Sequence, residues 1–397
     1  MDAPKKYNKS IEIKKIEDLI ILLNNNPDLN ETTLKINLGS KESDFFIESN
    51  IEKTIENIKS ISLLNPQVQI LIRDDRIDGD FVKTSEEESN IKGEFKDLTT
   101  IKDKLLEIEE LKQSSNIFLL TPGHSYFNYA SCLVYSSRIV SLKDIYETED
   151  FIKKLANEIN NHELTILEKI FAAYTTIIKM KQYKEVDKYE NECDSRNLYT
   201  IFQKDNIVCE GFVNLFNSVL DEMGIKSAVG CFKLRAGNHA ISIVEVNDPE
   251  MGINGNYIFD PTLDSRIYHM NKYNKKGQFL ISLAPMDGFA LTEEEFLKKY
   301  NVRLKEVRIN ESGASKNHLK FKKSNPLHST YLTSFAALLS QSQSSYVYNL
   351  NDQISNDKLS IEELSQLYES YYELISVNGE YLGQERLFNE LVNRRMK

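Results

Sequence analysis

Cysteine is scarce in this sequence and tryptophan is absent: 397 residues contain four cysteines and no Trp. No two cysteines have the C-x-x-C spacing of a structural zinc site, so we expect no metal. Four cysteines in a chain of this length are too few for a disulfide framework, and reduced thiols are the default. The sequence also shows no phosphate-binding glycine loop of the P-loop type, and we expect no cofactor. The four cysteines are Cys132, Cys193, Cys209 and Cys231.

The sequence also lacks a surplus of positive charge and a long apolar run. Lys and Arg total 49 against 60 Asp and Glu, a net charge of −11. Non-specific binding of nucleic acid needs a basic face, so we expect no nucleic-acid partner. No apolar run approaches the ~20 residues of a membrane-spanning helix, and the N-terminus lacks a signal-peptide pattern. We predict a cytoplasmic protein with no membrane span, or one exported by a route that leaves no such signal.

The order of helical and extended patterns predicts an α+β protein. Residues 1–115 are predicted as an N-terminal α+β region, with strands near 33–39 and 68–75, and residues 116–147 as a connecting segment. Residues 148–325 show helices followed by alternating strands, which is typical of an α+β core. Residues 326–397 are predicted as a C-terminal helical region. We find no internal repeat.

The segment from Asn206 to Ser227 predicts an amphipathic helix with a cysteine in its first turn. Gly224 is a natural stop for this helix, and Asp205 or Asn206 could cap its start. Cys209 therefore lies among the unpaired N–H groups of a helix N-terminus, which stabilise a thiolate and can bind an oxyanion. A lone cysteine on a core helix is nevertheless most often inert. The apolar face comprises Phe212, Leu215, Phe216, Val219, Leu220 and Met223.

Two further residues favour a functional role for Cys209 over an inert one. His239 begins the alternating segment HAISIVEV, and Asp260 ends the apolar segment YIFD before Pro261. Alone, the histidine could be an exposed edge residue and the aspartate a turn former. If the two segments pair as a hairpin, however, His239 and Asp260 meet at one end of it. Packing of the helix against that end would complete a Cys-His-Asp triad.

The segments VCEGFVNLF, NHAISIVEV and YIFDPTLD resemble, in order and element type, the core motifs of the transglutaminase-like superfamily, which has a papain-like fold. The resemblance covers roughly residues 150–290. It implies a helix that carries the cysteine and packs on an antiparallel sheet. It also implies that Cys209 is the nucleophile, His239 the general base and acid, and Asp260 the residue that orients the imidazole.

The sequence departs from that family in its lack of tryptophan. Many members have Trp where this chain has Leu263, and members that cross-link proteins use a Trp upstream of the cysteine to stabilise the oxyanion. We therefore favour amide hydrolysis over cross-linking. Gln203 lies six residues before Cys209, the offset of the oxyanion glutamine in papain-type proteases, and Tyr199 is a second oxyanion candidate.

We therefore predict an enzyme that performs acyl transfer or hydrolysis on a protein or peptide amide, through a thioester on Cys209. A cysteine peptidase or deamidase of the same fold is one alternative, and water or an amine could be the acyl acceptor. A non-catalytic protein-interaction module that retains the fold is the other alternative. The oligomeric state is left open.

Overall fold

The computed structural model describes residues 7, 9–25, 29, 31–38, 45, 48–73, 98–121, 138–160, 165–184, 195–234, 237–249, 253–271, 287–302 and 308–309. The chain divides into two compact units, one of Met1–Ile152 with Val186–Lys204, and the other of Lys153–Glu185 with Asp205–Lys397. The helical region predicted for residues 326–397 lies outside the described residues, as do Cys132 and Cys193.

The first unit is built on a five-stranded sheet with the strand order β1-β2-β3-β4-β5. Strands β1 to β4 are parallel to their neighbours, and β5 runs antiparallel to β4. Strands β4 and β5 lie in the segment that the sequence predicted as a connection, and they complete this sheet. The strands are β1 (Lys9–Ile13), β2 (Thr32–Asn37), β3 (Gln69–Arg73), β4 (Ile117–Thr121) and β5 (Arg138–Ser141).

Helices supply the crossovers that parallel strands require. The helix Glu48–Leu64 shows why they form. Ile55, Ile58 and Ile61 follow one another at three-residue spacing and are buried, the pattern of a helix with one apolar face. Helix α4 begins in the first unit and continues into the second. The helices are α1 (Ile16–Asn25), α2 (Glu48–Leu64), α3 (residues 98–106), the 3-10 turn Glu109–Leu111, α4 (Leu142–Asn160) and α6 (Leu198–Ile201).

The second unit combines helices with an antiparallel sheet of order β10-β9-β8-β11. Helix α7 packs against β9 and against helices α5 and α8. The elements are α5 (Ile166–Met180), β6 (Gln182–Tyr183), β7 (Asn206–Ile207), α7 (Cys209–Glu222), β8 (Ser227–Leu234), β9 (Gly237–Asp248), β10 (Ile253–Phe259), α8 (Pro261–Asn271), α9 (Glu293–Tyr300) and β11 (Arg308–Ile309).

Helix α7 has the predicted buried face and the predicted end. Five of the six predicted apolar residues, from Phe212 to Leu220, are buried, and Met223 is half-buried. Gly224 has a φ of 77°, the left-handed conformation that glycine adopts most readily. The predicted cap is wrong: Val208 is the N-cap residue and its side chain makes no capping hydrogen bond. Asn206 instead belongs to β7, which pairs with β6 in parallel.

Strands β9 and β10 form the predicted hairpin, in the register Phe259 to Ser242. Strand β9 ends at Asp248 and β10 begins at Ile253, so residues 249–252 connect them. After β10 the chain enters helix α8 at Pro261, because a proline at the first helical position loses no hydrogen bond. Within the described part of the chain, no helix is long and apolar enough to cross a membrane.

Candidate active site

Cys209 is the first residue of helix α7 and is half-buried. The apolar face of the helix holds it on the sheet, so the position of the thiol is determined by the packing of the whole helix. Because the Val208 side chain supplies no capping acceptor, the partial positive charge of the helix N-terminus is directed at the region around the thiol.

His239 lies near the start of β9 and contacts both other residues of the predicted triad. Its Nε2 is 2.7 Å from Oδ2 of Asp260, and its ring also makes a hydrogen bond with Cys209. Since Nε2 is taken by the carboxylate, Nδ1 is the ring nitrogen left for the thiol. The structure therefore brings Cys209, His239 and Asp260 into one hydrogen-bonded chain.

Asp260 lies between β10 and α8, and it is fully buried. Its Oδ1 accepts a hydrogen bond from the backbone N–H of Leu263 at 3.1 Å, so the carboxylate also caps the start of α8. Its own N–H donates to the carbonyl oxygen of Gly288 at 2.7 Å. The turn-forming role and the histidine-orienting role, which the sequence offered as alternatives, thus occur in the same residue.

The electrostatics of the pair favour an imidazolium beside a carboxylate. Burial by itself would lower the pKa of His239, but the charge and hydrogen bond of Asp260, together with Cys209, outweigh it and raise the pKa to about 10. Burial would likewise raise the pKa of Asp260, but His239 and two further donors hold it below its ordinary value. The pairing with Asp260 therefore favours the charged form of His239 at neutral pH.

One of those further donors is Tyr300, at the end of helix α9, whose hydroxyl donates to Oδ2 of Asp260 at 2.5 Å. The tyrosine ring packs near the His239 ring, with centroids 6.2 Å apart. Phe232 meets His239 edge-on at 5.4 Å. Sequence reasoning missed Tyr300, because it lies 40 residues after Asp260 and no motif accompanies it.

A second buried carboxylate supports the backbone around Asp260. Asp264 Oδ2 lies 2.5 Å from the Tyr174 hydroxyl oxygen, which lies 2.9 Å from the carbonyl oxygen of Asp260. The N–H of Gly288 donates to both oxygens of Asp264. Burial, with added repulsion from Asp287, raises the pKa of Asp264 well above its usual range. A protonated Asp264 accounts for these contacts, since the single Tyr174 proton can serve only one of two acceptors.

The two oxyanion candidates belong to the first unit. The Tyr199 side chain is buried and its hydroxyl donates to Oε1 of Glu149 at 3.2 Å. The Gln203 amide donates to Oε2 of Glu147 at 3.2 Å. Their participation in catalysis stays a prediction. In the second unit, helix α7 begins at Cys209, and N–H groups in the first turn of a helix are of the kind that can stabilise an oxyanion.

No cluster of metal ligands accompanies these residues: the described ranges contain no group of three or more His, Cys, Asp or Glu arranged to hold a metal ion. The chemistry that the arrangement offers is that of a sulfur nucleophile, an imidazolium that can give or take a proton, and a carboxylate that orients it.

Comparison with known proteins gives limited similarity. No family model matches the chain, and no curated protein matches it. Among solved structures, a protein of Cytophaga hutchinsonii provisionally named a cysteine protease is 17% identical, over 29% of this chain and 37% of that chain, with a TM-score of 0.22. A provisionally named protease of Parabacteroides distasonis is 14% identical, over 30% of this chain and 26% of that chain, also with a TM-score of 0.22. The chain thus spans well under half the length of either structure, and at these scores the similarity carries no functional argument. The chain is a mixed helix-and-sheet α+β protein with distant, partial similarity to these two structures.

Proposed function

We propose that this protein is a cysteine-dependent enzyme that transfers or hydrolyses the acyl group of a protein or peptide amide. The observation that carries the proposal is the hydrogen-bonded chain from Cys209 through His239 to Asp260, with the cysteine at a helix start. Each member of this chain has a group suited to one step of acyl transfer.

In the first half-reaction, the Cys209 sulfur attacks the amide carbonyl carbon, a C–S bond forms and the carbonyl oxygen becomes an oxyanion. Backbone N–H groups at the start of α7 stabilise that charge. The C–N bond then breaks, and the leaving amine takes the proton from Nδ1 of His239. Asp260 keeps the imidazole oriented through Nε2. The product is a thioester on Cys209.

In the second half-reaction, Nδ1 of His239 takes a proton from the acceptor as its oxygen or nitrogen attacks the thioester carbon. The C–S bond breaks and the sulfur leaves as a thiolate beside the imidazolium. Water as the acceptor makes the protein a peptidase or deamidase, and a lysine amine makes it a transamidase. We favour water, since the chain has no Trp of the kind that cross-linking members of the resembling family use.

Alkylation by iodoacetamide at pH 6, with the modified cysteines mapped by mass spectrometry, tests the nucleophile. Cys231 is the internal control, because it is half-buried like Cys209 and lies on β8. We expect Cys209 to react well ahead of Cys231, Cys132 and Cys193, and His239→Ala to remove that advantage. Equal and slow labelling of all four cysteines would refute the enzyme and favour an interaction module.

The acyl acceptor needs a separate assay. The protein is incubated with a cell extract or a peptide library, with and without a biotin-linked primary amine, and the products are analysed by mass spectrometry. Cleaved or deamidated peptides without biotin indicate water as acceptor, and biotin attached to glutamine indicates an amine. Cys209→Ser is the matched control, since it changes only the nucleophilic atom. Products that persist in this variant would rule out Cys209 as their source.

A further inference from the structure

Tyr300 gives Asp260 a donor in addition to His239 and the backbone. Oδ2 of the carboxylate accepts hydrogen bonds from both His239 Nε2 and the Tyr300 hydroxyl, while Oδ1 accepts from the N–H of Leu263. The carboxylate is fully buried, so these donors take the place of water. The two donors on Oδ2 therefore divide the negative charge of one oxygen between them.

The position of the Tyr300 hydroxyl is determined by helix α9. The helix begins with a capping box between Thr292 and Glu295 and ends at Asn301 in the left-handed conformation, with a φ of 50°. The Tyr300 ring meets Phe232 edge-on at 5.4 Å. The caps at both ends of α9 and the contact with Phe232 therefore restrict the conformation of the Tyr300 side chain. Its hydroxyl is positioned for Asp260 before the hydrogen bond forms.

The Tyr300 hydroxyl keeps its proton, and so remains a donor, above the pH at which an ordinary tyrosine ionises. Its pKa lies well above the usual tyrosine range, because the half-buried side chain is largely removed from solvent and because Asp260 is negatively charged. Other charged or titratable groups face this cluster: Asp264 on α8, Tyr174 on α5, Asp287 before α9, Lys299 on α9 and Cys209 on α7.

We propose that Tyr300 is a positioning residue of the site, which fixes the Asp260 carboxylate and limits how strongly that carboxylate holds the proton of His239. A general acid must release its proton to the leaving group, and an imidazolium bound too tightly to a carboxylate releases it poorly. By sharing Oδ2, Tyr300 weakens the attraction between Asp260 and the imidazolium without moving either residue. The consequence for catalysis rests on the function proposed above, whereas the contact with Asp260 does not.

The test measures the titration of His239 by NMR in full-length protein carrying isotope-labelled histidine. Cys209→Ala is used as the background, so that the thiol does not contribute. Tyr300→Phe removes only the hydroxyl, and we expect the pKa of His239 to rise by about 0.5 to 1. Tyr257→Phe, which removes a hydroxyl from a buried tyrosine of the same unit, is expected to leave the pKa of His239 unchanged. An unchanged or lower value in Tyr300→Phe overturns the proposal.

A double-mutant cycle shows whether Tyr300 acts through Asp260. In an Asp260→Asn background, Tyr300→Phe should no longer change the pKa of His239, and an equal change in both backgrounds overturns the proposal. The two hypotheses fail separately: Cys209 that alkylates no faster than Cys231 refutes the proposed function. The His239 titration decides the role of Tyr300 independently of that result.

Discussion

Gly288 lies against the Asp260 backbone, and its substitution by alanine adds a single methyl group there. A Cβ at this position would lie 2.6 Å from the carbonyl oxygen and 2.9 Å from the Cβ of Asp260. Both distances are shorter than real contacts allow, and backbone cannot rotate away as a flexible side chain can. Gly288→Ala therefore forces the 287–290 segment and the Asp260 backbone apart.

The expected loss of stability in Gly288→Ala has two sources, overpacking and a weakened hydrogen bond. Overpacking in a core costs about 1–3 kcal/mol. The hydrogen bond from the Asp260 N–H to the Gly288 carbonyl, 2.7 Å long, contributes about 1 kcal/mol. We expect the thermal midpoint to fall by roughly 5–15 °C for a unit of this size. Since the shift moves Asp260 away from His239, alkylation of Cys209 at pH 6 should slow by roughly 10-fold to 100-fold.

Thermal denaturation and Cys209 alkylation, measured on the same sample below the midpoint, separate loss of fold from loss of geometry. Gly224→Ala is the matched control. It places a Cβ in open space at a φ of 77°, so it adds about 1 kcal/mol of backbone strain without approaching the site. It should lower the midpoint slightly and leave Cys209 reactivity intact. A Gly288→Ala protein as stable and as reactive as wild type would refute this account of the site.

Two predictions concern the buried carboxylates. Asp264→Asn can keep both hydrogen bonds of a protonated carboxyl, so it should be at least as stable as wild type in urea at pH 7. Asp264→Ala should lose about 2–3 kcal/mol of stability, because it leaves the partners of the carboxyl unsatisfied. Equal losses of stability in the two variants would mean that Asp264 is ionised. The second is a pH dependence. The pKa of His239 is raised from 6.5 to about 10, so its stabilisation is complete below pH 6.5 and is lost as the pH rises toward 10. The pKa of Asp260 is lowered, so its contribution is lost on acidification below its ordinary pKa of about 4. Urea unfolding should therefore show the largest advantage of wild type over Asp260→Asn between about pH 4 and 6.5, and a difference that is constant from pH 5 to 10 would contradict this pairing.

The part of the fold near Cys209 could be predicted well, because the signals are local. Apolar residues recur at helical spacing up to Leu220, and Gly224 ends the helix in the conformation that favours glycine. Strands β8, β9 and β10 alternate or run apolar between turn residues. The N-cap of α7 was missed, because Asn206 pairs with β6 and is not available as a cap. That pairing depends on a strand more than 20 residues away.

In the first unit, individual strands were predictable but their arrangement was not. Strands near residues 33–39 and 68–75 follow from β-branched and apolar runs. Whether neighbouring strands run parallel depends on what connects and covers them. The edge strand β5 (Arg138–Ser141) joins the sheet by pairing with Thr121 and its neighbours. A segment of four residues with mixed polarity does not indicate which strand it pairs with, so this register could not be predicted.

By itself, the sequence determined the α+β class, the helix that carries Cys209 in its first turn, and the order in which cysteine, histidine and aspartate follow along the chain. Helical and strand periodicity and the conformational preferences of glycine and proline are properties of short segments, and they can be recognised without the fold. Only the tertiary structure decided that His239 meets Asp260 at 2.7 Å, that Tyr300 shares the same carboxylate oxygen, and that Gly288 closes on the Asp260 backbone. These contacts join residues 21 to 40 positions apart, and the packing of whole helices and strands brings them together.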